Sequence, residues 1–131
     1  ASTEFAYPQP DCQWIEDRFW IWVHYGAGKI ARGEYFEALE FLSFLRTVVL
    51  SPLALQQASL TPSGVRTIEK RLPAFAAELK QTLATAERDS LIPAFEACIA
   101  LYLRLRNKTT AKVNSRAQQL AISYFNDELK A

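Results

Sequence analysis

One histidine, a few cations on the same helix and two carboxylates downstream carry most of the chemistry this sequence offers. His24 is the only histidine. Asp17 lies two turns earlier on the same helical face. The imidazole therefore reads first as a core or boundary group hydrogen-bonded to that acid, with ligand contact or acid–base work as the sharper alternative. Arg18, Tyr25, Lys29 and Arg32 follow one another at spacings of 7, 4 and 3, which lines them along one helical stripe. Such a stripe is either a solvated edge or a cationic face that meets phosphates. Glu37 and Glu40 share a face of the next helix, with Thr47 two turns on. They are either solvated or able to orient a polycationic or hydroxyl-rich ligand.

Gly26-Ala27-Gly28-Lys29 imitates a phosphate-binding loop. Val23 stands where that loop needs its first glycine, and Ile30 where it needs Ser or Thr, so the mechanism fails. Each helical glycine costs about 1 kcal/mol against alanine, and the run predicts close approach by a neighbouring helix instead. Cys12 and Cys98 are 86 positions apart. They have no metal-ligand spacing and read as buried free thiols of a reducing compartment. No metal site is predicted.

The elements that must position these groups are helices. Pro8 and Pro10 exclude a helix interior, so residues 1–10 are predicted to be an extended leader. Residues 11–131 are predicted to form a single all-α domain, a four-helix up-and-down antiparallel bundle with an additional C-terminal helix. The first helix runs from about Pro10 to Arg32, with Asp11 in its first turn. Ile15, Phe19, Trp22, Val23, Gly26 and Ile30 fall at helical spacing, and Trp14, Trp20 and Ile21 add apolar surface on other faces. A helix apolar nearly all round is central, and the three tryptophans are expected to be mainly core. Gly33 stops it. A second helix from about Glu34 has a stripe of Phe36, Leu39, Leu42 (or Phe41), Leu45 and Val49, with Pro52 breaking or kinking it. Thr61-Pro62-Ser63-Gly64 is the main connection, followed by basic Arg66, Lys70 and Arg71. A third helix is expected from Pro73 to near Glu87 through Phe75, Leu79 and Leu83. A fourth carries Ile92, Phe95, Ile99, Tyr102 (or Leu103) and Leu105, and a more polar fifth carries Val113, Leu120, Tyr124 (or Ile122) and Leu129.

Composition narrows the function classes. With 50% hydrophobic and 22% charged residues in 131, the chain is globular and not disordered. Fifteen basic residues against 14 acidic give a net charge of +1, which argues against an electrostatic nucleic-acid or membrane binder. No uninterrupted apolar run reaches the roughly 18 residues of a membrane span, and no signal peptide opens the chain. A cytoplasmic location is expected. The absence of Met, with Ala-Ser-Thr at the start, leads to the expectation of a piece excised from a longer protein.

The run Glu16-Asp17-Arg18-Phe19-Trp20-Ile21-Trp22-Val23-His24-Tyr25-Gly26-Ala27-Gly28-Lys29-Ile30-Ala31-Arg32-Gly33-Glu34-Tyr35-Phe36-Glu37-Ala38 resembles the helical C-terminal part of bacterial nucleotidyltransferase-like proteins, aminoglycoside nucleotidyltransferases among them. Phe41 to Arg46, Leu50 to Leu55 and Gly64-Val65-Arg66 fit the same pattern, and the likeness covers about residues 11–106. The resemblance implies a two-part enzyme. A catalytic part, N-terminal or separate, holds magnesium and the nucleotide with a Gly-Ser motif and paired aspartates, and a helical part binds the small-molecule acceptor. This sequence has no Gly-Ser followed by paired aspartates, so it is expected to be inactive alone. Tyr25, Lys29, Arg32, Glu34 and Glu37 are the expected substrate-binding residues, with Lys29 and Arg32 facing nucleotide phosphates. His24 and Arg18 are further candidates, and Glu37 and Glu16 are candidates for an acceptor-activating carboxylate. The alternative from another class is a non-enzymatic helical module that homodimerises or docks through its aromatic surface. A helical ribonuclease, whose Arg precedes its His by a few positions, is nominally matched by Arg18 and His24.

Overall fold

The computed structural model describes residues 8–130. Most of the expected leader lies outside that range, and Pro8 to Asp11 are non-helical. Among the described residues every regular element is a helix, so the fold is all-α.

Helix α1 (Cys12–Ala31) starts at an N-cap. Asp11 Oδ1 accepts the Trp14 N–H at 3.0 Å, so this acid caps the helix and is not inside its first turn. Gly33 ends the helix as expected. It adopts φ +76°, a conformation that costs glycine little. Its N–H donates to the Ile30 carbonyl, and the Glu34 N–H reaches back to Lys29 at 2.9 Å. This is the Schellman pattern.

Helix α2 (Tyr35–Leu45) passes through a π turn (Arg46–Leu50) into α3 (Ser51–Gln57) without a break. The Ser51 N–H donates to the Arg46 carbonyl, one residue further back than an α-helix allows. Pro52, which has no N–H to give, follows at once and is accommodated in α3. The resulting 23-residue helix contains an 18-residue window of mean hydropathy 1.6, long and apolar enough to cross a membrane by length and composition. Leu42, Leu45, Val49, Leu50 and Leu53 on this helix are buried in the core of the fold.

Two short helices, α4 (Ile68–Arg71) and α5 (Pro73–Leu79, closing in a 3-10 turn at Lys80–Thr82), lead to α6 (Arg88–Arg106) and α7 (Ser115–Leu129). The third helix ends well before Glu87 for a tertiary reason. Arg46 donates to the Thr82 carbonyl at 2.8 Å, and the Thr82 hydroxyl donates to Leu79 at 2.7 Å. Leu83, an expected core residue, is exposed.

Helix α1 is central. Trp22, Tyr25 and Lys29 meet Phe44, Phe41 and Glu37 in descending order, so α2 is antiparallel to it. Glu16, Phe19 and Gly26 meet Arg106, Tyr102 and Phe95, so α6 is antiparallel as well. Glu16 and His24 meet Asn114 and Tyr124, so α7 runs parallel to α1. The crossover through α4 and α5 is what lets α2 and α6 run the same way.

Gly26 performs its expected role. A side-chain carbon there would overlap the Phe95 ring of α6. Gly28 does not, since it faces the Arg32 guanidinium of its own helix. Phe36 is corrected from core to surface. Ala38 is fully buried, and a residue two positions away on a helix lies about 200° round from it. On α7 the buried face is Ala121, Phe125 and Leu129, while Leu120 is exposed; Val113, expected on this helix, lies ahead of it and is exposed too. Among the tryptophans only Trp20 is core; Trp22 is half-buried and Trp14 exposed.

Candidate functional site: an acidic aromatic groove on α1 and α2

The α1–α2 turn brings the five expected substrate-binding residues together. Because Gly33 reverses the chain within one residue of the helix end, Glu34 folds back onto the last turn of α1. Lys29 Nζ lies 3.1 Å from Glu34 Oε2 and 3.2 Å from Glu37 Oε1. Arg32 Nε donates to Glu34 Oε1 at 3.1 Å. The Lys29 ammonium also sits 4.9 Å from the centre of the Tyr25 ring. The shifts in proton affinity follow this geometry. Glu34 holds the Lys29 amine above its ordinary value against partial desolvation, with Glu37 adding to the effect. Arg32, then Lys29, hold the Glu34 carboxyl below its ordinary value.

Two cations and two carboxylates leave this corner electrically balanced. The expected meeting of Lys29 and Arg32 with phosphates therefore has competition in place, since both are engaged by Glu34 or Glu37. What the corner does locally is fix the turn and orient Glu37.

Beside it runs a continuous line of aromatic rings. Trp14 meets Trp22 at 5.7 Å between centroids, Trp22 meets Phe44 at 5.1 Å, Phe44 meets Phe41 at 5.5 Å, and Phe41 meets Tyr25 at 5.0 Å. Cations cover both ends: Lys29 on Tyr25, and Arg18 at 4.3 Å over Trp14. Near the turn these rings form a groove of about 330 Å³ lined by Tyr25, Phe36, Glu37, Glu40, Phe41 and Phe44. Phe36 is 80% exposed. Glu40 is exposed and makes no ion pair among the described residues. The arrangement presents π-faces and carboxylates together, the environment that attracts an organic cation.

The remaining candidates lie elsewhere. Arg18 is spent on Trp14, to whose carbonyl it also donates at 3.1 Å. His24 is exposed and stacks on Tyr124 at 3.9 Å. Its expected partner Asp17 accepts from Gln13 instead, at 2.9 Å. Arg18 and His24 thus have different neighbours and do not converge.

Glu16 is the largest departure from expectation. It is fully buried and saturated with donors: the Tyr102 hydroxyl at 2.6 Å, Trp20 Nε1 at 3.0 Å, the Asn114 N–H at 2.9 Å and Arg106 at 3.4 Å. Burial, then the bond to Glu16, push the Tyr102 hydroxyl well above its ordinary range, so it stays a donor. An acceptor molecule has no route to this carboxylate. The one sequence hint was an acid on the apolar face between Ile15 and Phe19.

A second cavity of about 300 Å³ lies between Trp14, Ile15, the π-turn residues Thr47 and Val48, Pro52 and Pro62. Its walls are apolar, and its ionisable lining residue, Asp11, is committed to the N-cap. Among the described residues no three of His, Cys, Asp and Glu converge as a metal-binding group. No protein-family model, curated protein or solved structure matches the chain.

Proposed function

We propose that this chain is the substrate-binding helical unit of a nucleotidyltransferase-like enzyme, with a small amino-substituted acceptor seated in the α1–α2 groove. The observation that carries the proposal is the pairing of Glu37 and Glu40 with Tyr25, Phe36, Phe41 and Phe44 around one groove. An ammonium group over an aromatic face gains about 0.5–2 kcal/mol, more as it is desolvated. Glu40, which has no ion pair among the described residues, adds attraction at the rim, and Glu37, shared with Lys29, orients the rest of the molecule. Lys29 and Arg32 act as positioning residues that hold Glu34 and Glu37 in place. Magnesium and the nucleotide belong to a partner catalytic unit: Glu34 and Glu37 are engaged by cations and Glu16 is saturated, so these carboxylates are poor metal ligands. A cytoplasmic setting goes with this reading, because Cys12 and Cys98 are both unpaired thiols, the state a reducing compartment maintains.

The coding sequence tests the two-part enzyme. A Gly-Ser motif followed by paired aspartates, either ahead of Ala1 in the same frame or in a neighbouring gene, is the expected finding. Its absence from both overturns the proposal. A second reading, a module that docks or dimerises through its aromatic face, is favoured by the exposure of Phe36. Light scattering separates the two. A stable dimer that Phe36→Ala converts to monomer supports docking, and a monomer at all concentrations opposes it.

A further inference from the structure

The far end of the bundle carries a surplus of positive charge. There the C-terminal ends of α3, α4 and α6 surround a cleft of about 380 Å³ whose lining includes Gln57, Arg71, Leu72, Phe75, Arg104 and Lys108. Arg104 is paired with Glu78 through two hydrogen bonds. Arg71 bonds only the Ser63 hydroxyl, at 2.7 Å, and Lys108 is exposed. Neither has a carboxylate partner among the described residues. Three cations thus face one carboxylate here, in a chain whose total charge is +1.

Cations at helix C-termini ordinarily answer the helix's own carbonyls. At the end of α6 the Leu103, Leu105 and Arg106 carbonyls are already taken. Leu103 accepts from the Asn107 N–H, Leu105 from Gln57 Nε2 at 2.7 Å and from the Lys108 N–H, and Arg106 from the Thr109 N–H and hydroxyl. Charge on Arg71 and Lys108 is left over. Leu72 and Phe75 supply an apolar wall beside it.

We propose that this cleft binds a small organic phosphate. The Arg71 guanidinium and Lys108 ammonium take the phosphate oxygens, and an apolar or aromatic group of the ligand lies against Leu72 and Phe75. A surplus of two positive charges matches a phosphomonoester, which carries close to two negative charges at neutral pH, better than a single carboxylate. A guanidinium beside an ammonium also offers both the forked and the point-charge mode of phosphate binding. This site is separate from the α1–α2 groove and stands or falls independently of it.

The test is an amide NMR titration of the full chain with phenyl phosphate, inorganic phosphate and phenol. Phenyl phosphate is expected to saturate, shifting the amides of residues 71–75 and 104–108, and to bind more tightly than inorganic phosphate; phenol is expected to leave these amides unmoved. Arg71→Gln with Lys108→Gln removes the charge-assisted bonds and is expected to weaken phenyl phosphate binding by roughly tenfold or more, with the rest of the spectrum unchanged. A titration that does not saturate, or a double variant that binds as well as the parent, overturns the proposal. Equal affinity for phenyl and inorganic phosphate overturns the role of the apolar wall.

Discussion

Replacing Glu16 by alanine should remove roughly 3–5 kcal/mol of stability, the range seen when one partner of a buried ion pair is deleted. The variant leaves Tyr102, Trp20 and the Asn114 N–H without their acceptor, and each orphaned buried donor costs about 1–3 kcal/mol alone. These terms share one site and do not add. Arg106 keeps Gln118 at 2.6 Å and Asn107 at 3.2 Å, which moderates the loss of its counter-charge. A domain of this size has about 5–15 kcal/mol in total, so the variant should be close to the limit of folding. Urea unfolding followed by tryptophan fluorescence reads the effect: with a slope of about 1–3 kcal/mol per molar, the midpoint should fall by roughly 2 M. Two companions make the test specific. Tyr102→Phe removes one donor and should cost about 1–2 kcal/mol. Glu16→Leu with Arg106→Met replaces the pair by apolar groups and should cost less than Glu16→Ala alone. A loss below about 1 kcal/mol for Glu16→Ala would refute the reasoning, because a saturated buried carboxylate cannot be that dispensable.

Gly26→Ala and Gly28→Ala should have opposite signs in thermal melts. Both gain up to about 1 kcal/mol of helix propensity, but the first must displace the fully buried Phe95 ring, an overpacking that costs about 1–3 kcal/mol. The second moves only the end of Arg32. Ser51→Ala should raise stability by about 1 kcal/mol, since the Ser51 hydroxyl is buried with no hydrogen-bond partner; a loss of stability in urea would contradict this. Cys98 should resist alkylation at neutral pH until the protein unfolds, while half-buried Cys12 should react slowly. Burial pushes the Cys98 thiol from 9.0 up to about 12. The fold therefore favours the protonated thiol, and that contribution is intact below about pH 9 and lost as pH rises toward 12. Between neutral and alkaline pH the parent should lose more stability than Cys98→Ala.

Much of α1 was legible because Ile15, Phe19, Val23 and Ile30 are large and repeat with the helix, and Gly33 marks its end. The convergence of Tyr25, Lys29, Arg32, Glu34 and Glu37 was legible for the same reasons, since a helical stripe meeting a one-glycine turn must fold onto itself. That their charges cancel was not, because it depends on where Glu34 lands after the reversal. Phe36 misled because the residue that defines the buried face, Ala38, is small and carries little hydrophobic weight. Leu120 misled in the same way beside Ala121. The early end of α5 is imposed by Arg46, 36 positions upstream of Thr82. The Glu16 network joins residues 86 and 90 positions apart, and no local pattern announces such a meeting.

The acidic aromatic groove is tested most directly by an amide and aromatic-side-chain NMR titration with spermidine, using a neutral polyol of similar length as the control. Saturable shifts confined to Tyr25, Phe36, Glu37, Glu40, Phe41 and Phe44, absent with the polyol and weakened by roughly tenfold or more in Glu37→Gln with Glu40→Gln, are the expected result. Shifts that fail to saturate, that the polyol reproduces, or that persist unchanged in the double variant would contradict the account.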